Sequence, residues 1–233
     1  MVELRLRVIA FISPKGGAGK TTAALVLALG LAERGGRVAM VDSDPNKPLV
    51  HWAGLPGCPE NLTVHPAPTP QDLRDAEREA RREEPDWIIL DTEGSLRGAL
   101  AFVAMRPHLV ITPLAGSALE AHQAIKAAEM VREYGKRGGR ELPHRALLTR
   151  IPAAIRPRSI KGVVEQLRSE GLEMLPTALL EKEAFRLLFA LGGGFPNLEA
   201  AHVTGAAAAK ANAAAYVDAV LELAEPRLPA PEA

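Results

Sequence analysis

The sequence predicts an α/β protein built on a doubly wound, mostly parallel sheet of about seven strands, with helices on both faces. The first indication is the alternation of apolar, β-rich runs with helical patterns along the chain. The second is that RVIAFI, RVAMVD and WIILD are continuously apolar, as expected of strands covered on both faces. At 233 residues, the chain is also long enough to bury one large core.

The predicted elements follow one another in a regular order. Strands are expected over residues 6–12, 37–41, 62–65, 87–91, 108–112, 145–150 and 173–176. The helix after the first strand, TTAALVLALGLAERGG, ends at two glycines that favour a left-handed cap. The last helix covers about residues 206–224, and the prolines of EPRLPAPEA cannot continue it. We therefore expect one domain over residues 1–225 and a flexible tail over 226–233.

Charge is balanced overall but unevenly distributed. The net charge of zero argues against wholesale electrostatic capture by nucleic acid. Residues 132–161 nevertheless hold nine basic side chains against only Glu133 and Glu141. This basic segment is either a solvated surface or a site for an anionic partner such as DNA phosphates. The basic residues are Arg132, Lys136, Arg137, Arg140, Arg145, Arg150, Arg156, Arg158 and Lys161.

The remaining composition points to a protein of the cytoplasm. Cys58 is the single cysteine, so one chain can form no disulfide and cannot bridge an iron–sulfur cluster with paired cysteines. No apolar run approaches the roughly 20 residues of a membrane span, and no apolar leader precedes a cleavage site. We expect no membrane partner.

A phosphate-binding loop is predicted in SPKGGAGKTT, between the first strand and the first helix. Its glycines let the backbone approach phosphates, and the helix that follows directs its N–H groups and its dipole at them. Lys20 is expected to neutralise the β- and γ-phosphates, and the Thr21 hydroxyl to ligate Mg²⁺. Pro14 stands where a strict pattern has glycine. The expected nucleotide-binding residues of the loop are Gly16, Gly17, Ala18, Gly19, Lys20, Thr21 and Thr22.

Three aspartates fall at or just beyond the ends of predicted strands, where open α/β sheets place their ligand chemistry. Asp91 ends WIILD, and Asp42 and Asp44 follow RVAMV. A lone aspartate at such a position is a helix cap or turn former about half of the time. Three of them behind one phosphate loop favour a site, and Asp91 is expected to hold Mg²⁺ through a water.

These motifs resemble those of the ParA/MinD family of P-loop ATPases. KGGAGKTT looks like the family's deviant Walker A loop, VDSDP like its second aspartate motif, WIILDTEG like its Walker B and switch II segment, and LLTRIP like the strand before the base-binding loop. DPNKPLVHW, RSIKGVVEQL and EKEAF look nearer to the short ParA-like proteins of T-DNA transfer and cargo positioning. The resemblance implies a single-domain P-loop NTPase fold.

The resemblance also implies roles for individual residues. Lys15 would reach the nucleotide of the other subunit in an ATP-dependent homodimer, Asp44 would orient or deprotonate the attacking water, and Asp42 would support the metal shell. Thr149 and Arg150 match positions near the adenine, and no guanine motif follows an equivalent strand, so ATP is expected rather than GTP.

The family's biology suggests a slow, Mg-dependent ATPase that binds DNA of the nucleoid nonspecifically and is stimulated by a partner protein. Arg156, Arg158, Lys161 and Arg168 are the DNA-binding candidates. Glu93 departs from the family's switch II pattern and favours an alternative: a scaffold that binds ATP and recruits a partner without productive turnover. A tyrosine kinase is disfavoured because only Tyr134 and Tyr216 are present, and a membrane positioner is disfavoured by the LPAPEA end.

Overall fold

A computed structural model describes residues 6–13, 16–92, 107–151 and 158–224. Within them the chain forms one sheet of seven strands in the order β3-β2-β4-β1-β5-β6-β7. Every strand pair is parallel. The chain therefore winds outward from β1 in both directions, which confirms the predicted doubly wound α/β fold. The strands are β1 (Arg7–Phe11), β2 (Val38–Asp42), β3 (Leu62–Pro66), β4 (Trp87–Asp91), β5 (Leu109–Leu114), β6 (His144–Ile151) and β7 (Leu179–Leu180).

Eight helices occur in the same part of the chain. Two of the longer ones, α3 and α4, begin with capping boxes, in which Thr69 and Ser117 accept hydrogen bonds from the N–H groups of Asp72 and Glu120. The helices are α1 (Lys20–Glu33), α2 (Pro48–Ala53), α3 (Pro70–Arg82), α4 (Ala118–Arg137), α5 (Arg158–Ser169), α6 (Glu183–Leu191), α7 (Phe195–Ala200) and α8 (Ala206–Ala224). The bounds of α8 agree with the predicted last helix.

The central strands are buried on both faces because their alternate side chains pack against different helices. Ile9 and Phe11 of β1 belong to a core that also contains α1 and α8. Val8 and Ala10 belong to a second core, with α3 and α4 on the opposite face. This arrangement explains why the strand sequences are apolar throughout rather than alternating.

The seventh strand lies later in the chain than predicted. The expected strand at 173–176 is wrong apart from a single bridge between Met174 and Ala146. The amide of Leu175 donates to Ala146, but Pro176 follows and has no N–H to continue the pairing. Pairing resumes at Leu179, opposite Thr149, with a register shift between Thr149 and Ile151.

The order of the strands places three carboxyl ends side by side. β4 lies between β1 and β2, with Phe11 opposite Asp91 and Asp91 opposite Asp42. β1 is also where the winding direction reverses, between β4 and β5. In open α/β sheets ligands bind in the crevice at this switch point.

Candidate nucleotide-binding site

The glycine loop connects β1 to α1 with an open backbone. Gly17 and Gly19 have φ angles of 85° and 84°, in the left-handed region that other residues rarely adopt. A Cβ added at Gly16 or Gly17 would meet no atom of the described residues within 4 Å, so the loop is open at these two positions. Among the described residues, no side chain caps the start of α1 at Gly19. The first-turn N–H groups of α1 are therefore available to an anion.

Lys20 and Thr21, the first two residues of α1, lie at the inner side of the loop. The Lys20 side chain is enclosed, since the residue is only 8% exposed. No carboxylate forms an ion pair with it within the described residues. Both Lys20 and the Thr21 side chain nevertheless act on Asp91 and lower its pKa. A buried cation at the start of a helix, directly after a glycine loop, is the arrangement expected of a phosphate-binding lysine.

Asp91 is the most unusual group in the site. It is 1% exposed, and neither carboxylate oxygen makes a hydrogen bond of normal geometry within the described residues, although the Thr21 hydroxyl lies close enough to lower its pKa. Its pKa is raised to about 7, chiefly by burial and also by the charges of Asp42 and Asp44, against the opposing effects of Thr21 and Lys20. A buried carboxylate with so little compensation is costly, so this position is suited to an external cation or donor.

Asp42 has a structural task that the sequence did not reveal. Its Oδ2 accepts hydrogen bonds from the N–H groups of Leu49 and Val50, at 2.9 and 3.2 Å, and its Oδ1 accepts one from Asp44 at 3.2 Å. Burial raises its pKa, and these backbone hydrogen bonds lower it. Asp42 thus fixes the start of α2 beside the site. Pro48 at the first position of this helix was the sequence signal for the helix start.

Asp44 lies in the loop between β2 and α2 and is partly exposed. Its Oδ1 accepts hydrogen bonds from the backbone and side-chain nitrogens of Asn46, at 2.8 and 3.1 Å. The position is near the other acids, since its charge raises the pKa of both Asp42 and Asp91. The structure therefore brings Lys20, Thr21, Asp42, Asp44 and Asp91 together.

Thr149 and Arg150 lie near the end of β6, beside the glycine loop. The Thr149 hydroxyl donates to the Ala18 carbonyl at 2.8 Å, so this buried side chain supports the loop itself. Both residues line a cavity of about 70 Å³ together with Gly19, Thr22 and the segment from β7 to the start of α6. The adenine role of the two residues remains a prediction.

Several predicted residues fall outside this description. Lys15, Glu93 and Arg156 are not among the described residues, and the side chain of Arg158 is not described. The same holds for the tail at 226–233. Lys161 and Arg168 are exposed on α5, seven residues apart, on the side away from the buried Val163 and Leu167. None of the helices in the described part of the chain combines the length and apolarity that crossing a bilayer requires.

A glycine loop that opens a helix at the switch point is common to many nucleotide-binding proteins. The acid that ends β4 beside this loop, and a second acid at the end of β2, are more restrictive. Together with the sheet order they define a P-loop ATPase of the ParA/MinD type. The chain belongs to the VirC1 protein family, whose model matches residues 6–225. The family resemblance predicted from the motifs is confirmed.

The chain is similar to known proteins over nearly its whole length. It is 30% identical to Protein ParA of Rhizobium radiobacter over 217 residues, covering 92% of this chain and 96% of that relative. It matches the ATP complex of a Cyanothece McdA with a TM-score of 0.72 at 16% identity, covering 93% and 96% of the two chains. It matches the septum site-determining protein MinD of Pyrococcus horikoshii OT3, complexed with Mg-ADP, with a TM-score of 0.66 at 19% identity, covering 94% and 99%. The two structures establish the shared fold.

Proposed function

We propose that this protein is a slow, Mg-dependent ATPase that forms a homodimer with ATP, binds DNA nonspecifically and positions or segregates a plasmid or protein cargo. The observation that carries the proposal is Asp91: a fully buried carboxylate at the phosphate loop that no cation pairs with in the described residues, close to Lys20 and the Thr21 hydroxyl. The match to Protein ParA over nearly the full length of both chains supports the same conclusion.

The residues of the site fit ATP and Mg²⁺. The loop from Gly16 to Thr22 offers backbone N–H groups and Lys20 to the phosphates. Thr21 and Asp91, with Asp42 behind them, would hold Mg²⁺, which neutralises phosphate charge when bound. The described residues contain no cluster of three or more His, Cys, Asp or Glu that could form an all-protein metal site. This agrees with Mg²⁺, which usually takes one or two carboxylates together with substrate phosphates.

Hydrolysis in this proposal depends on Asp44. Its carboxylate orients a water, accepts a hydrogen bond from it and takes up its proton as the oxygen bonds to the γ-phosphorus. The bond between the γ-phosphorus and the bridging oxygen breaks, and that oxygen leaves on ADP. Lys20 stabilises the negative charge on the phosphates, and Lys15 would do so from the other subunit. Such a contact would exist only in the ATP-bound dimer.

DNA binding in this proposal uses exposed cations of the carboxyl-terminal half. Lys161 and Arg168 lie about 10 Å apart along α5, since seven residues of helix rise about 1.5 Å each. Arg156 and Arg158 precede them in the sequence. Dimerisation doubles such phosphate contacts, so DNA binding would require ATP and weaken steeply with salt. A partner protein would then stimulate hydrolysis, and hydrolysis would release the DNA. The ATP-bound dimer would therefore act at the nucleoid, in the cytoplasm.

The first test compares oligomeric mass and DNA retention of the Asp44→Ala protein with Mg-ATP and with Mg-ADP, at low and moderate salt. We expect dimers that retain DNA with Mg-ATP and monomers that do not with Mg-ADP, because the variant binds ATP without hydrolysing it. Asp75→Ala, which removes a half-exposed acid of α3 that pairs with Arg78, is the matched control and should behave like the wild type. An oligomeric mass and a DNA affinity that are the same with Mg-ATP and with Mg-ADP would contradict the proposal.

One observation favours the alternative of an ATP-binding scaffold without productive turnover. Asp44 Oδ1 already accepts two hydrogen bonds from Asn46 and so is engaged within its own loop. Phosphate release measured with and without DNA separates the two functions. An ATPase of the ParA type should show Asp44-dependent turnover that DNA and the partner increase, whereas a scaffold should show no stimulated turnover.

A further inference from the structure

A large cationic cavity lies at the amino-terminal edge of the sheet, opposite the nucleotide-binding site. It has a volume of about 700 Å³. Its walls are the carboxyl-terminal half of α4, the loop at 139–143, the start of β6 and the turn at 171–173. The glycine loop and the aspartates are at the carboxyl-terminal ends of the strands, so this cavity is a separate site.

The shape of the cavity depends on a close approach between α4 and the loop that follows it. A Cβ added at Gly135 would lie 2.7 Å from the carbonyl oxygen of Arg140, so only glycine allows this packing. The amide of Arg140 donates to the Gly135 carbonyl at 3.0 Å, and that of Gly139 to Lys136 at 3.1 Å. The loop is thereby folded back on the helix, which fixes one wall of the cavity.

The lining has a surplus of two positive charges. Arg132, Lys136, Arg140 and Arg145 face two carboxylates, Glu141 and Glu173. One of these carboxylates, Glu173, is engaged in an ion pair with Arg145 at 2.7 Å.

Two of the cations have no carboxylate partner in the described part of the chain. Arg132 is positioned by a neutral acceptor, because its Nη1 donates to the Glu170 carbonyl at 2.9 Å. No ion pair involves Lys136. Fixed arginine forks and a mobile ammonium are the groups with which proteins bind phosphate.

The rest of the lining is suited to an uncharged part of a ligand. Ala128, Leu142, Pro143 and Leu172 supply apolar surface beside the cations. His144 also lines the cavity, with its Nε2 2.8 Å from the Thr112 hydroxyl. Burial, followed by the charges of Arg132 and Arg145, lowers the pKa of His144 to about 3, so its ring is neutral near pH 7. It adds no positive charge and offers a flat face.

We propose that this cavity is a binding site for a small phosphorylated molecule, in which Arg132 and Lys136 bind a phosphate monoester and the apolar wall contacts the group that bears it. A phosphate monoester carries nearly two negative charges at pH 7, which matches the two lining cations without a carboxylate partner in the described residues, Arg132 and Lys136. The volume falls in the usual range for small-molecule sites, about 300–1,000 Å³. Duplex DNA is less well matched, because a concave site can admit one phosphate while nonspecific DNA binding needs many.

The test uses ribose 5-phosphate and inorganic phosphate as probes, with the full chain and with saturating Mg-ADP to occupy the phosphate loop. Affinity is measured by calorimetry, and the location by amide chemical shifts in ¹⁵N-labelled protein. We expect saturable binding of ribose 5-phosphate, weaker binding of inorganic phosphate, and shifts concentrated at 139–145 and 171–173. Lys136→Glu should weaken binding of ribose 5-phosphate at least about tenfold, because it reverses a charge within the site. Lys136→Gln should have a smaller effect.

Arg137→Glu is the matched control. Arg137 is the next residue on α4 and is exposed, but it pairs with Glu133 and does not line the cavity. It makes the same change in net charge, so it should alter the affinity by no more than about twofold. Equal weakening by the two glutamate variants would overturn the proposal, because it would indicate diffuse surface charge. So would the absence of saturable binding of both probes at millimolar concentration, or binding of duplex DNA alone.

Discussion

At the scale of single residues, the cost of burying the Asp91 carboxylate is measurable. In the protein without nucleotide or Mg²⁺, we expect Asp91→Asn to raise the free energy of unfolding at pH 8, by on the order of 2 kcal/mol, since it removes a buried charge. The pKa of this carboxyl is raised from 3.8 to about 7, so the wild type loses stability as pH rises through this window. The stability gained by Asp91→Asn should therefore vanish near pH 4, where the wild-type carboxyl is protonated in the folded protein.

Thermal unfolding with and without Mg-ATP checks this prediction. The wild type should be stabilised by Mg-ATP, and Asp91→Asn should respond much less, because it lacks the proposed metal ligand. Asp75→Asn, which changes a half-exposed acid on α3, should differ from the wild type by no more than about 0.5 kcal/mol in both conditions. A variant that is less stable than the wild type at pH 8 without ligand would show that the favourable effects of Thr21 and the Lys20 charge on Asp91 outweigh the cost of burial.

His144 gives a pH dependence of the opposite direction. Its folded-state pKa is lowered from 6.5 to about 3, so the unfolded chain binds the extra proton and stability falls as pH decreases from about 6.5 towards 3. At pH 5 this costs about 2 kcal/mol relative to neutral pH. We expect His144→Gln, whose amide retains a partner for Thr112, to lose less stability than the wild type between pH 7.5 and pH 5. Urea unfolding at the two pH values measures this difference.

An exposed histidine provides the comparison for this measurement. His122 lies on the outer side of α4, and His122→Gln should leave the acid dependence of the wild type unchanged. If His144→Gln and His122→Gln lose the same stability at pH 5, another group dominates the acid response.

At the scale of elements, the contact between α1 and α8 is set by a glycine. A Cβ at Gly30 would lie 2.5 Å from Cγ2 of the fully buried Val217. Gly30→Ala gains about 1 kcal/mol of helix propensity but should lose about 1–3 kcal/mol by overpacking, for a net loss of stability. Adding Val217→Ala should recover part of that loss. A double-mutant cycle by urea unfolding should give a coupling energy of at least about 1 kcal/mol.

At Gly162, the same glycine-to-alanine substitution adds a Cβ that contacts no neighbouring side chain. It lies within α5, and an added Cβ would meet nothing within 4 Å. Gly162→Ala should therefore stabilise the protein by up to about 1 kcal/mol. Equal effects of the two alanine substitutions would mean that α8 moves away from α1 at no cost.

The sequence predicted the elements better than it predicted the contacts between them. Continuous apolar runs and the glycine loop located six strands to within about two residues, because burial on both faces leaves a local pattern. The seventh strand was misplaced because its position depends on where Pro176 interrupts pairing with β6. The bonds from Asp42 to α2, and the approach of Arg140 to Gly135, join residues through the folded chain, and no periodicity indicates them.

At the scale of the whole molecule, the candidate nucleotide site and the cationic cavity lie on opposite edges of one sheet. Motifs in the sequence predicted the phosphate loop and its aspartates, but the basic segment gave no indication that part of it surrounds a cavity. The nucleotide site reaches α2 through Asp42, which holds the amides of Leu49 and Val50. The cationic cavity has no residue in common with the nucleotide site. Binding of nucleotide should therefore act on one edge and leave the other little changed.

Amide hydrogen exchange with and without Mg-ADP tests this division. We expect slower exchange at Gly16–Ala23, because the nucleotide engages the amides of the loop and the first turn of α1. We also expect slower exchange at Leu49 and Val50, because Asp42 links their amides to the proposed metal side of the site. Exchange at 139–145 should stay within about twofold, since those residues lie at the other edge of the sheet. Lys20→Ala, which removes the proposed phosphate-binding lysine, should abolish most of the protection.

Protection spread evenly over the chain would indicate general stabilisation by ligand. Protection of the loop without that of Leu49 and Val50 would show that Asp42 serves α2 alone and does not transmit nucleotide binding.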